Sequence, residues 1–235
     1  RDNTTKAPRR GRELNENHNV SVGIQSSYTQ KSININNLRS DNQYVNGAYD
    51  PSQPLGETFV SNKLSYIDLA AGMQWSYGKG EMYMTANDEF SANAGVAVFH
   101  ITQPDQSFLN GQSDKLSPRI TANGTAHIGL KNTNLAIIPC LLYMKQGASQ
   151  EFTPGALFRY SLKQDSRYTG FVKSAAISLG GQYRFADAFI VTTLFEVANY
   201  AIGISYDVNT SGLRTASSGR GGIEISLRFV NPNSY

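Results

Sequence analysis

The feature that most restricts this chain is a two-residue alternation of large apolar side chains with small or polar ones, repeated in segment after segment. From Tyr200 to Val208 the even positions are Tyr200, Ile202, Ile204, Tyr206 and Val208, and the odd ones are Ala201, Gly203, Ser205 and Asp207. From Gly222 to Phe229, the residues Ile223, Ile225, Leu227 and Phe229 alternate with Gly222, Glu224, Ser226 and Arg228. Successive side chains of an extended strand point to opposite faces, so this period gathers the oily residues on one side. A helix would scatter them around its circumference.

The same pattern runs upstream. Ile177, Leu179, Tyr183 and Phe185 oppose Ser178, Gly180, Gln182 and Arg184, and Phe189, Val191, Phe195 and Val197 oppose Thr192 and Glu196. Ile67, Leu69, Met73, Trp75 and Tyr77 oppose Tyr66, Asp68, Gln74 and Ser76, while Val20, Val22, Ile24 and Tyr28 oppose Ser21, Gly23, Gln25 and Ser27. Weaker alternation covers Phe90–His100, Ile120–Leu130, Leu135–Met144 and Phe152–Leu162, the third being apolar on both faces. The sum is about ten strands in one all-β, antiparallel domain. Residues 1–16 read as a polar leader or loop, 17–230 as the strands and 231–235 as a short tail. No helical pattern lies between strands, which argues against a βαβ architecture.

Alternation suits both a soluble sandwich, whose greasy faces meet each other, and a transmembrane barrel, whose greasy face meets lipid. Several details favour the barrel, among them a last strand that ends in Leu227-Arg228-Phe229, alternating and closed by an aromatic as barrel-insertion signals are. The polar faces carry Gly, Ser and Thr with charges of both signs, at Arg184, Glu196, Asp207, Glu224 and Arg228, which suits a wet lumen in which these charges pair. Aromatic residues stand toward strand ends, as at Trp75, Tyr77, Tyr183, Phe185 and Tyr200, like interfacial girdles. Connectors differ in length: Phe185-Ala186-Asp187 is a tight turn, whereas 36–64 and 103–117 are long and polar, as expected if short turns occupy one rim and long loops the other. A spanning helix needs about 20 consecutive apolar residues. The longest candidate, Leu135–Met144, is far shorter and contains Pro139.

Little in the chain points to chemistry. Cys140 is the single cysteine, so neither an intramolecular disulfide nor a Cys-rich metal site can form. The net charge is +3, with Lys and Arg dispersed apart from Arg9, Arg10 and Arg12, and no aromatic interleaving suggests nucleic acid. His18, His100 and His127 fall on different strands without a second ligand at metal spacing. Asp207-x-Asn209-x-Ser211-Gly212 has half of a calcium-loop spacing, but Ser218 stands where a Glu is needed, and a tight strand connection is the better account. No nucleophile elbow occurs. The expectation is no enzyme, no cofactor and no metal.

Specific blocks go further than the pattern. Gly203-Ile204-Ser205-Tyr206-Asp207-Val208-Asn209, Ser211-Gly212-Leu213 and Ser218-Gly219-Arg220-Gly221-Gly222-Ile223-Glu224-Ile225-Ser226-Leu227 closely resemble the PorP/SprF family. Gly95-Val96-Ala97-Val98-Phe99-His100-Ile101-Thr102-Gln103-Pro104 is similar to the family's G-x-A-x-x-H-x-x-Q-P stretch. Ile138-Pro139-Cys140-Leu141-Leu142-Tyr143 and Gly181-Gln182-Tyr183-Arg184-Phe185 match as well, and the blocks run in family order from about residue 18 to 230. His100, Gln103, Pro104, Gly203, Tyr206, Asp207, Gly221, Gly222 and Glu224 are the motif positions. The chain opens on Arg1 without an initiator Met or an apolar signal segment. The resemblance implies a longer protein with further N-terminal strands, closing a barrel of about fourteen.

The resemblance also implies a function: an outer-membrane barrel of the type IX secretion and gliding machinery of Bacteroidetes, which docks or anchors exported surface proteins. Implied partners are secreted proteins with type IX C-terminal domains, periplasmic or outer-membrane components of the machine, and outer-membrane lipid, with no nucleic acid. The long loops after Asn36 and Gln103 are the expected contact regions, since recognition usually sits on polar loops carried by a rigid scaffold. A diffusion channel or small-solute transporter is the alternative and predicts ion conductance. A soluble sandwich adhesin is the third reading and would need no detergent.

Overall fold

A computed structural model describes residues 4–6, 9–15, 17–79, 87, 89–163, 174–212, 215 and 219–230. The tail 231–235 and Ser218 lie outside the described residues. Among the described residues fourteen strands form: β1 (Thr4–Lys6), β2 (Arg9–Asn15), β3 (His18–Ser32), β4 (Tyr44–Val45), β5 (Ala48–Tyr49), β6 (Lys63–Lys79), β7 (Phe90–Phe99), β8 (Arg119–Gly129), β9 (Leu135–Gln146), β10 (Ser149–Lys163), β11 (Ala175–Arg184), β12 (Ala188–Val197), β13 (Tyr200–Asn209) and β14 (Arg220–Phe229). The sheet order is β1, β3, then β6 to β14 in sequence, with β2 also paired to β3. From β9 to β14 every pairing is an antiparallel hairpin. Among the described residues no ladder joins β14 to the first strands. No helix among them is long and apolar enough to cross a membrane.

The ten long strands, β3 and β6 to β14, are those the alternation marks out. One departure has a physical reason. The leader is not wholly loop: Thr4, Thr5 and Lys6 pair with Tyr28, Ser27 and Ser26 of β3, and β2 pairs with β3 too. Polar sequence carries no greasy alternation to betray a strand, and the ladder needs only backbone groups.

Burial runs opposite to that of a soluble sandwich. Among the described residues the buried apolar ones are mostly alanines, Ala70, Ala136, Ala176, Ala188 and Ala201, with Ile190. The large ones stand outside: Leu179, Ile202, Ile204 and Ile223 are exposed, and Ile225 is 74% exposed. On β13, Ala201 and Gly203 are buried between exposed Tyr200, Ile202 and Ile204. Such a continuous apolar face costs free energy in water and none against acyl chains, which is the arrangement of a membrane sheet.

The chain divides into two compact units. One contains Val22–Gly72 and Ala97–Ile120, and the other contains Met73–Val96 and the strands that follow Thr121.

Candidate functional site

In the unit containing the C-terminal strands, ion pairs bridge alternate strands over alanines. Ser161, Ala176, Glu196, Ala201 and Arg228 occupy one cross-strand row, from β10 to β14. Glu196 on β12 accepts from Arg159 Nε of β10 at 2.7 Å and from Arg228 Nη2 of β14 at 3.3 Å. Arg159 Nη1 also donates to Ser161 Oγ at 3.2 Å. Each arginine spans the strand between, where Ala176 and Ala201 are 2% and 4% exposed. A methyl side chain on the intervening strand leaves room for the long chains to meet above it.

A second cluster repeats this device nearer the turns. Arg184 of β11 reaches Asp207 of β13 at 3.3 Å, crossing β12 where Arg184 is opposite Ala188, itself 1% exposed. Arg184 also donates to Asp187 at 3.0 Å and lies 3.7 Å from Glu151 of β10. Thus the expected single network of Arg184, Glu196, Asp207, Glu224 and Arg228 is corrected: it is two clusters, they recruit Glu151, Arg159 and Asp187, and Glu224 belongs to neither. Glu224 lies opposite Ser205 on the edge strand β14, is exposed, and has no ion-pair partner among the described residues. Arg159 was legible in principle, since it alternates with Phe158 and Tyr160; Asp187 lies in a turn where alternation stops.

The motif residues have structural assignments. Gly203 is buried, and a Cβ there would lie 2.5 Å from Ser226 Oγ. Gly221 is tighter, because its Cβ would strike the Asp207 carbonyl across the β13–β14 pair, whereas Gly222 has open space. Tyr206 is exposed on the greasy face. Asp207, at the head of the half calcium loop, faces Arg184, and Asn209 Nδ2 donates to the Arg220 carbonyl at 2.8 Å. No cluster of potential metal ligands occurs among the described residues.

His100, Gln103 and Pro104 form the corner that ends β7. Gln103 N–H donates to the His100 carbonyl at 3.1 Å, and both residues have positive φ, 58° and 45°. That left-handed backbone is uncommon outside glycine, and histidine is among the residues that tolerate it. Pro104 is buried and its carbonyl accepts from Leu116 N–H at 3.0 Å. The corner turns the His100 ring so that Nδ1 lies 2.7 Å from Asp68 Oδ2 of β6, while Thr102 Oγ1 donates to Asp68 Oδ1 at 3.2 Å. Of the other histidines, His18 accepts from Trp75 Nε1 at 3.3 Å, and His127 keeps a buried, unpartnered Nδ1.

Asp68 and His100 form part of the wall of a cavity of about 260 Å³ on the inward face of β3 and β6. Gln25, Ser27 and Tyr66 face it, and Arg119, at the start of β8, stacks its guanidinium 4.5 Å from the centre of the Phe99 ring. Alternation marked Gln25, Ser27, Tyr66 and Asp68 as inward; only the fold brings Arg119 and His100 beside them.

Loops 33–62 and 100–118 are built and mutually held, not free. Val60 N–H donates to the Phe108 carbonyl at 2.9 Å and Asn110 N–H to the Thr58 carbonyl at 2.8 Å, around a bridge between Phe59 and Leu109. Within the first loop, buried Gln43 donates to the Gln53 carbonyl at 3.0 Å, and Ser40 Oγ to the Leu55 carbonyl at 2.7 Å. Within the second, Asp105 accepts from the Ser107 and Asp114 amides at 2.9 and 3.1 Å. Hydrogen bonds from the Ser113 side chain and these amides, with nearby Lys115, hold the Asp105 carboxyl below its ordinary range. Exposed Val60, Tyr44 and Val45 stand on this loop assembly.

A family model described as type IX secretion system membrane protein PorP/SprF matches residues 10–229. No curated protein and no solved structure gives a match. The matched stretch includes every strand from β3 to β14, the His100–Pro104 corner and the glycines packed between β13 and β14. The chain therefore belongs to the PorP/SprF family of type IX secretion system membrane proteins.

Proposed function

We propose that this protein is a non-catalytic outer-membrane component of type IX secretion that docks exported surface proteins and contacts other parts of the machine. The observation that carries the reading is the clasp between loops 33–62 and 100–118, a hydrogen-bonded assembly that still leaves Val60 70% exposed. Ordered loops lose little conformational entropy when a partner binds, so exposed apolar side chains on them favour association. The greasy outer face and the braced inner face suit a scaffold held in lipid. Exported proteins with type IX C-terminal domains are the partners this reading names.

Tagged protein purified from native membranes should bring down an exported surface protein and machinery components, identified by mass spectrometry. Val60→Lys, at a side chain that supports little of the fold, should reduce that recovery severalfold while leaving the amount of folded protein unchanged. Recovery of none of these proteins with the unmodified chain, together with steady ion conductance in planar bilayers, would replace docking with a diffusion channel.

A further inference from the structure

We infer that the cavity beside Arg119 is a binding site for a carboxylate, presented by an acidic residue of a peptide segment. This deepens the docking reading and rests on it, by stating what the docked partner inserts.

The charge account of the cavity leads there. Asp68 is satisfied, since His100 and Thr102 both engage its carboxylate. Lys31, the next inward cation along β3, donates to Gln106 Oε1 at 2.6 Å. Arg119 differs: its Nε is buried without a hydrogen-bond partner among the described residues, and its guanidinium lies against the Phe99 ring. A buried N–H left without an acceptor is costly, and a carboxylate is the ligand whose two oxygens match a guanidinium's fork of donors. Phe99 fixes the plane of that fork and shields one side from water.

Two observations select a peptide carboxylate over a phosphate. The Asp68 carboxylate lines the same cavity, and its repulsion grows with the ligand's charge, which disfavours a doubly charged phosphate. The cavity also opens on the strand face opposite exposed Ile24, Tyr28, Ile67 and Leu69, away from acyl chains, so a lipid headgroup would have to leave the bilayer to enter. At about 260 Å³ it is smaller than the ~300–1,000 Å³ of pockets for drug-sized ligands and fits a side chain or a chain end. Gln25, Ser27 and Tyr66 add amide and hydroxyl groups that can bond the backbone beside an inserted acid.

The test uses the full chain in detergent and a fluorescein-labelled peptide, acetyl-Ala-Glu-Ala-Glu-Ala, with its Glu→Gln counterpart, followed by fluorescence anisotropy at low salt. The acidic peptide should bind at least tenfold more tightly than the Gln peptide. Arg119→Met, which keeps an unbranched apolar side chain but removes the guanidinium, should abolish that difference, and Arg119→Lys should retain part of it. Ser27→Asp, which supplies Arg119 with an internal anion, should weaken binding at least fivefold, and it decides the matter should Arg119→Met not fold. Equal affinity for the two peptides, or variants that bind as the unmodified chain does, would overturn the assignment. So would displacement of the peptide by inorganic phosphate or phosphatidylglycerol vesicles at concentrations tenfold below those needed with acetate. Because no cell component is involved, failure here leaves co-purification untouched, and failed co-purification leaves this binding measurable.

Discussion

Arg159 of β10 reaches past β11 to place its Nε 2.7 Å from Glu196 of β12. The intervening strand offers Ala176 and Ser178, which are 2% and 0% exposed. Opposite charges therefore act between strands that share no hydrogen bonds, and each pair clamps three strands together. Ala176→Leu should obstruct that reach and destabilise the fold by about 1–3 kcal/mol, the usual cost of overpacking. The measurement is the temperature at which the compact band on a semi-native gel is lost; Glu196→Gln should lower it less.

Glu224 shares an inward strand face with Arg228 but has no ion-pair partner among the described residues. Glu224→Leu is expected to change stability by less than about 0.5 kcal/mol, as at ordinary surface positions. A drop in gel-band transition comparable to that of Ala176→Leu would show that Glu224 braces the sheet after all.

Leu179 stands midway along β11 and is 57% exposed on the greasy face. Leu179→Arg should cost about 2–4 kcal/mol in a bilayer, the penalty for an arginine facing lipid near the midplane. The same substitution in a soluble sheet surface would cost little. Folding yield into vesicles, measured against urea, separates the two cases.

Asp105 gives the loops an acid limit. Its folded carboxyl titrates below the ordinary value of 3.8 because hydrogen bonds to Ser113, Ser107 and Asp114 favour the charged form. The stabilisation is thus complete above the unfolded value and is lost as pH falls through the lower folded one. The amide resonances of Ser107 and Asp114 should shift together with a midpoint under 3.8. Asp105→Asn should remove the transition.

Much of the architecture was readable before any coordinates. The alternation at Tyr200–Val208 and Gly222–Phe229 identifies β13 and β14 and the face each presents, because a strand's geometry ties facing to the parity of the residue number. The polar leader escaped, since Thr4–Lys6 pairs through its backbone without an apolar pattern. The charge network was half legible: Arg184 and Asp207 do meet, but which charges meet depends on strand register and on where alanines leave space. The cavity was the least legible part. His100 reaches Asp68 through a corner with two left-handed residues, and Arg119 arrives after a long loop.

By itself, then, the sequence determined an all-β chain with an oily face and a polar face, because both follow from local spacing and side-chain chemistry. Tertiary structure alone decided the partners: Arg159 with Glu196, loop 33–62 with loop 100–118, and Arg119 with the Phe99 ring. Those pairings join residues far apart in the chain, and only the register of the sheet and the course of the loops bring them within a few ångströms.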